Sequence, residues 1–312
     1  MNILKAAKVE AYYLVASKSI FLFTGLLLSI FTIVLLLSYN AALEAYNTYS
    51  RYERYFAEND IYMDSNDYHP IDKSSGVIDN PLAYQKHAIG LYSFSLSSGY
   101  ILGLFLESLL LVSPFVFSSL GAFIFSYDRK HKTEKFKVSS TSKLRLYLTK
   151  QVTLSLSILF ILLVSITVTA LAGLKFHDAL PAKIPIDIPY INLQPISNIF
   201  HKFAFGLALA MFFGEFGCLM GQFTGNWWTS FALGIIFVFV LPASEIPDIY
   251  AKIDFRLAIS NIGLRIYDFI GVVSYKDYLI PLSNSILYFS LAFVIVVFLG
   301  VVVALKKSSY NS

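Results

Sequence analysis

The chain has 312 residues, of which 56% are hydrophobic and only 14% charged, with a formal net charge of +4. Soluble globular domains carry roughly 25% charged residues. This composition therefore excludes an ordinary soluble domain and is typical of an all-α integral membrane protein, because charge inside hydrocarbon is costly. The single cysteine, Cys218, lies in an apolar run, so no disulfide within the chain and no zinc-type cysteine cluster can form.

Residues 1–19 combine Lys5, Lys8 and Lys18 with apolar and aromatic residues. One interpretation is an amphipathic helix that lies in the plane of the membrane interface. The other is a positively charged flank that orients the first span. Both interpretations place the N-terminus in the cytoplasm.

Long apolar runs predict six transmembrane helices, because about 20 apolar residues are needed to cross a bilayer. The predicted spans cover about residues 20–38, 99–126, 152–174, 200–224, 229–243 and 283–304. The whole chain, 1–312, is predicted to form a single transmembrane domain.

Three segments between the spans are predicted to lie outside the cell. Residues 39–98 form the largest, and their Tyr-rich start is predicted to continue the first span as a helix. Residues 175–199 are rich in proline, with isoleucine at alternate positions, which predicts an extended or turn-rich loop. Residues 255–273 are apolar but charged, so they predict re-entrant or interfacial helices between spans 5 and 6.

The segment 127–150 is strongly basic, with eight Lys or Arg against two acids. A basic loop between two spans is typical of the cytoplasmic side. The predicted cytoplasmic segments hold 13 of the 24 Lys and Arg residues in less than a quarter of the chain. This bias predicts a multi-pass protein with both termini in the cytoplasm.

Motifs for chemistry are absent from the sequence. It contains no GxxxxGK[ST] nucleotide-binding loop, no HExxH and no GxSxG. The five histidines are isolated, and one adjacent pair, His177 and Asp178, is weak support for a metal site. The chain is therefore not predicted to be an enzyme, and no catalytic, cofactor or metal site is assigned to it.

Glu107 and Glu215 lie well inside predicted spans, where ionisable residues are expensive. They are candidates for a translocation path, or they are carboxylates that hold helices together through hydrogen bonds. Glu215 lies among Gly206, Gly214, Gly217, Gly221 and Gly225. Glycines four residues apart allow another helix to approach closely, so this run predicts a packing seam.

Two stretches carry a family resemblance. The N-terminal LKAAKVEAYYLVASKSIFLF resembles the helix that leads into the first span of ABC-2 type transporter permeases. The stretch FIFSYDRKHKTEKFKVSSTSKLRLYLTKQV resembles their first cytoplasmic loop, with an acid closing span 2 (Asp128), a helix led by Thr133, a small polar turn (139–142) and a lysine opening span 3 (Lys150). The order of six spans also matches, whereas the 39–98 and 175–199 loops are longer than in simple members of that family.

This resemblance implies the membrane-spanning subunit of a bacterial exporter in the plasma membrane. A separate ABC ATPase subunit, holding ATP and magnesium, would dock on a coupling helix in the loop. The residues implied in that coupling are Asp128, Arg129, Lys130, Lys132, Thr133 and Glu134. A second permease chain, identical or homologous, would complete a path for an amphipathic peptide, antibiotic or lipid-like substrate, with membrane lipid around it and no nucleic acid.

Two other functions remain open from the residues alone. The chain could be a non-transporting membrane sensor or accessory subunit that binds a ligand with residues 39–98. It could also be an ion- or proton-coupled carrier that uses Glu107 and Glu215. A carrier predicts an internal repeat of spans, and none is visible in the sequence.

Overall fold

The computed structural model describes residues 3–69, 78–130, 142–189, 191, 198–239, 255–266 and 281–306. Within these ranges the backbone forms helices, turns and irregular segments and no strand, which confirms the predicted all-α class. The helices there, in chain order, are α1 (Ile3–Ala16), α2 (Ser19–Glu58), α3 (Pro81–Ser95), α4 (Ser98–Lys130), α5 (Lys143–Ala179), α6 (Ile199–Thr224), α7 (Trp227–Phe239), α8 (Phe255–Ile266) and α9 (Leu282–Lys306).

Five helices of the described part, α2, α4, α5, α6 and α9, are long and apolar enough to cross a membrane. They contain five of the six predicted spans, and they make the chain a multi-pass membrane protein by length and composition. The remaining span, predicted at 229–243, is described as the 13-residue helix α7. That length is below the roughly 20 residues a span needs, and residues 240–243 lie outside the described ranges, so six spans stay a prediction.

Helix α2 is much longer than its predicted span. Its 40 residues correspond to about 60 Å, roughly twice the thickness of the hydrocarbon core. The first half is uncharged, and the second half carries the Tyr-rich polar sequence. The prediction that this sequence continues the first span as a helix is confirmed.

Local signals explain where several helices begin and end. Lys18 adopts a left-handed φ of 58° in the turn between α1 and α2. The side chain of Asn80 accepts a hydrogen bond from the N–H of Ala83 and caps α3, whose first residue is Pro81. Gly225 ends α6 with a φ of 69°, a conformation that glycine adopts without steric cost.

The chain divides into two compact units. The first comprises Met1–Leu27, Leu104–Ser165 and Ser197–Ser312. Its core contains buried side chains of α4 and α5, such as Phe105, Phe117, Leu154 and Ile158. Around this core α6 packs against α7 and α9, and α9 packs against α8.

The second unit comprises Leu28–Gly103 and Ile166–Ile196. Its core is formed by apolar residues of α2 and α3, the start of α4 and the segment after α5: Leu35, Ala42, Ala45, Tyr49, Leu82, Ile89, Leu96, Ile101, Leu180 and Ile184. Ile186 and Ile188 pack against this core. The polar segment 39–98 is therefore more than a connecting loop, because most of its described part packs around shared apolar residues.

Two predicted elements fall partly or wholly outside the described residues. Helix α8 lies within the stretch predicted to be re-entrant or interfacial, and its Asn261 donates a hydrogen bond of 2.7 Å to Ser285 of α9. Residues 240–254 and 267–280, on either side of α8, are not described. The predicted coupling helix between spans 2 and 3, near 128 to 142, falls mostly in 131–141, which is also outside the described ranges.

Candidate functional site

A buried ion pair joins the end of α4 to the start of α5, on the two sides of the basic segment. Lys150 Nζ lies 2.8 Å from Asp128 Oδ2, and the two side chains are 6% and 2% exposed. The same ammonium donates a hydrogen bond of 3.1 Å to the carbonyl oxygen of Ile124 and lies 5.3 Å from the centre of the Phe125 ring. Burying two charges is favourable only with good geometry and further hydrogen bonds, and this pair has both.

Three further side chains at the start of α5 contact three other helices. Gln151 Nε2 donates a hydrogen bond of 2.7 Å to Glu215 Oε2 of α6. Tyr147 is buried, and its hydroxyl lies so close to Gly300 of α9 that an added Cβ there would be 2.7 Å from it. Thr153 Oγ1 lies 3.5 Å from the carbonyl oxygen of Ala7 in α1.

We call Tyr147, Lys150, Gln151 and Thr153 the α5 hub. Lys150, Gln151 and Thr153 lie three, four and six residues after Tyr147, so the four side chains cover one broad face of the helix. Leu144 and Leu148, which flank the Gln151 edge of this face, are 46% and 40% exposed. The seven residues 147–153, about two helical turns, therefore contact α1, α4, α6 and α9.

The two candidate path residues lie in different surroundings. Glu215 accepts the hydrogen bond from Gln151 and thus belongs to the contacts of the hub. Glu107 is buried in α4, 2% exposed. Glu107 lies 21 residues before Asp128, which corresponds to about 32 Å of helix. The hydrogen bond between Gln151 and Glu215 joins α5 to α6. It corresponds to the second of the two roles that the sequence left open for Glu215, that of a carboxylate that holds helices together.

The predicted glycine seam is occupied within the chain. A Cβ at Gly217 would collide with the backbone of Ser118, and one at Gly221 would lie 2.6 Å from the carbonyl oxygen of Ala122. Gly121 of α4 approaches the backbone of Gly214 in the same way. Helix α4 therefore fills the face of α6 that a second subunit could otherwise have used, whereas Gly225 serves as the helix end.

Helix α1 packs against α4 and α5 through Ala7 and Leu14, which are 3% and 5% exposed. A narrow crevice there is lined by Glu10, Tyr13, Leu14, Ser17, Phe123, Ile124, Tyr127 and Thr153. On the outer side of α1 the exposed residues include Tyr12 and Val15 beside Lys8. Exposed aromatic and aliphatic side chains next to a lysine fit a helix at a membrane surface.

The residues implied in ATPase coupling are only partly described. Asp128 is buried against Lys150, and Arg129 and Lys130 are the last residues of α4, without described side chains. Lys132, Thr133 and Glu134 lie outside the described ranges. Among the described residues, no group of three His, Cys, Asp or Glu side chains is placed to hold a metal ion.

Sequence reasoning missed part of this site. It quoted Lys150 as an element of a motif, but it did not pair the side chain with Asp128, and it did not single out Gln151. It also did not single out Lys202, which is buried at the start of α6. The available signal was the presence of polar residues within or at the ends of apolar runs.

Comparisons with protein-family models, with curated protein sequences and with solved structures found no match to this chain.

Proposed function

We propose that this chain is the membrane-spanning permease subunit of an ATP-driven exporter of the ABC-2 type. It would act in a bacterial plasma membrane, with both termini in the cytoplasm, and would move an amphipathic peptide, antibiotic or lipid-like substrate out of the cell. A separate ABC ATPase subunit would bind and hydrolyse ATP with magnesium, and a second permease chain would complete the path.

The observation that carries this proposal is the buried Asp128–Lys150 pair. It joins α4 and α5, the two helices that flank the basic segment in which the family resemblance lies. A partner that binds a segment anchored in this way can move two spans together, because the ends of both spans are fixed to one another. The family resemblance and the geometry therefore both favour the ends of α4 and α5, around Asp128 and Lys150, as the part through which an ATPase would move the transmembrane helices.

The position of α1 is a second support. It packs beside the ends of α4 and α5 and exposes aromatic and aliphatic residues on its outer side. A helix held at the membrane surface in this position would brace the segment that receives the ATPase. In the proposed exporter, Asp128 then holds the coupling segment in place, and the cationic residues around it contact the partner.

The test is purification of the tagged chain from its native membranes in mild detergent, followed by identification of the proteins that accompany it. We expect an ABC ATPase with its own nucleotide-binding loop. Reversal of three charges, R129E with K130E and K132E, is expected to release it. The control reverses Arg51, Arg54 and Lys175, which are exposed in α2 and α5, and should retain the ATPase.

A folded chain that purifies alone would contradict the proposal, provided that other known complexes from the same membranes survive the detergent. ATP-independent transport that is lost in Glu107→Gln or Glu215→Gln would instead favour the coupled carrier.

One observation favours a second candidate function. The described part of 39–98 packs in a compact unit with its own apolar core, as a ligand-binding sensor region would. Binding of a ligand to purified protein without any associated ATPase activity would support this sensor or accessory role.

A further inference from the structure

We infer that the α5 hub is the joint that distributes movement of the coupling segment to α1, α4, α6 and α9, with Lys150 and Gln151 as its positioning residues. This inference rests on the proposed function and deepens it. The hub residues lie at and just beyond the end of the basic segment to which the ATPase would bind.

The first step of the argument is the direction of the contacts. The hub occupies residues 147–153, at the end of the basic stretch, and its four members together contact four helices: Tyr147 contacts α9 and α4, Lys150 contacts α4, Gln151 contacts α6 and Thr153 contacts α1. A rotation or shift of these two helical turns would therefore displace side chains on four neighbouring helices.

The second step is the stiffness of these contacts. Lys150 is held by a carboxylate, a backbone carbonyl and an aromatic ring, all in a buried site. Breaking such a pair leaves a charge without compensation in a medium of low dielectric constant. The ion pair therefore remains intact when α5 moves, and α4 moves together with α5.

The third step is the connection to the far end of α6. Gln151 binds Glu215, and Leu154 and Ile158, further along the same face of α5, pack at Gly214. Helix α6 runs without interruption from Ile199 to Thr224. Movement of α6 at Glu215 is therefore transmitted to Phe200, 15 residues and about 22 Å away.

The experiment uses the complex of the full chain with its ATPase in lipid vesicles. Phe200, which is 77% exposed, is replaced by cysteine in a Cys218→Ala background. The rate at which a water-soluble maleimide modifies this cysteine is measured without nucleotide and with MgATP and vanadate. We expect nucleotide to change the rate about fivefold or more, the lower range of coupling between sites.

The variants separate positioning from folding. Lys150→Met and Gln151→Leu are each expected to abolish the nucleotide effect at position 200, and in Gln151→Leu ATPase binding and hydrolysis should persist. The exchanged pair D128K with K150D should restore the effect, and Lys175→Met, which removes an exposed lysine of the same helix, should retain it. Gln151→Leu removes no charge, so it provides the test if Lys150→Met does not fold.

The outcomes distinguish the inference from the proposal beneath it. A nucleotide effect that persists in both Lys150→Met and Gln151→Leu would overturn the hub and leave the exporter standing. A wild-type chain that carries no ATPase would overturn the exporter, and the inference would fall with it.

Discussion

At the scale of single residues, Asp128 and Lys150 form a buried ion pair in which each charge compensates the other, so replacing only one of them destabilises the fold. Both side chains are buried, and the lysine has a backbone carbonyl as a further acceptor. Replacing both partners of a buried pair with neutral groups is often nearly neutral for stability, whereas removing one partner strands the other charge. This asymmetry separates a structural ion pair from a fortuitous contact.

The pair therefore predicts a strong coupling between two substitutions. Lys150→Met or Asp128→Asn alone should lower the free energy of unfolding by roughly 3–5 kcal/mol, the cost of an uncompensated buried charge. The double variant should lose far less than the sum of the two, because it leaves no uncompensated charge. Thermal unfolding of the detergent-solubilised chain measures all three. Additive losses would show that the two side chains do not interact.

His87 of α3 predicts a dependence on pH in the second unit. Its ring stacks on Tyr68 with centroids 3.8 Å apart, and burial lowers the pKa of His87 below its ordinary value of 6.5. Protonation is therefore less favourable in the folded unit than in the unfolded chain. The free energy of unfolding is therefore unaffected by His87 well above pH 6.5, where the ring is neutral in both states. It decreases as the pH falls through 6.5, because the unfolded chain then binds the proton more readily than the folded unit.

The measurement is hydrogen exchange of peptides that cover 61–69, corrected for the intrinsic pH dependence of exchange. We expect protection of this segment to decrease between about pH 7 and pH 5 around the histidine. His87→Asn should remove that decrease, and replacement of the exposed His201 should not. Protection that falls equally in all three proteins would assign the effect to other groups.

At the scale of helices, the contact between α4 and α6 depends on the absence of side chains. Gly214, Gly217 and Gly221 bring the α6 backbone against Ser118, Gly121 and Ala122 of α4. Small residues let two helices approach so closely that backbone atoms pack on each other, which stabilises association in a bilayer. The seam thus holds the helix that carries Asp128 against the helix that carries Glu215.

Gly217→Ala is consequently expected to disrupt folding of the first unit, because its Cβ would collide with the backbone of Ser118. The matched control is Gly25→Ala in α2, where an added Cβ meets no atom within 4 Å. That control should be neutral or gain about 0.5–1 kcal/mol from lower backbone entropy in the unfolded chain. Yield and thermal unfolding of both variants in the same detergent provide the comparison. Equal behaviour of the two would show that α6 can move away from α4 at little cost.

The helices also show how far the sequence alone could predict this molecule. Apolar runs were enough for five long helices, and the continuation of α2 beyond its span followed from its Tyr-rich pattern. Glycine spacing predicted a seam, but not that α4 would fill it, because a seam has no sequence mark for its partner. The contacts of Lys150 and Gln151 depend on which helices meet, and no local pattern specifies that.

At the scale of the whole molecule, the described residues form two compact units with separate apolar cores. The first unit contains the α5 hub and the ends of α4 and α5 that border the basic segment. The second unit contains the polar half of α2 and α3. In the proposed exporter the α5 hub would lie on the cytoplasmic side, where the ATPase binds, and the polar half of α2 would lie outside the cell.

This assignment predicts the sidedness of two exposed positions. Tyr62 in the second unit is 92% exposed, Ser142 before α5 is exposed, and native Cys218 is buried, 0% exposed. In a Cys218→Ala background, Tyr62→Cys should react with a membrane-impermeant maleimide on intact cells. Ser142→Cys should react only after the membrane is permeabilised, because a basic loop is retained on the cytoplasmic side. If Ser142→Cys reacted on intact cells, the topology would be the reverse of the predicted one. The α5 hub would then lie outside the cell, where a cytoplasmic ATPase cannot reach it.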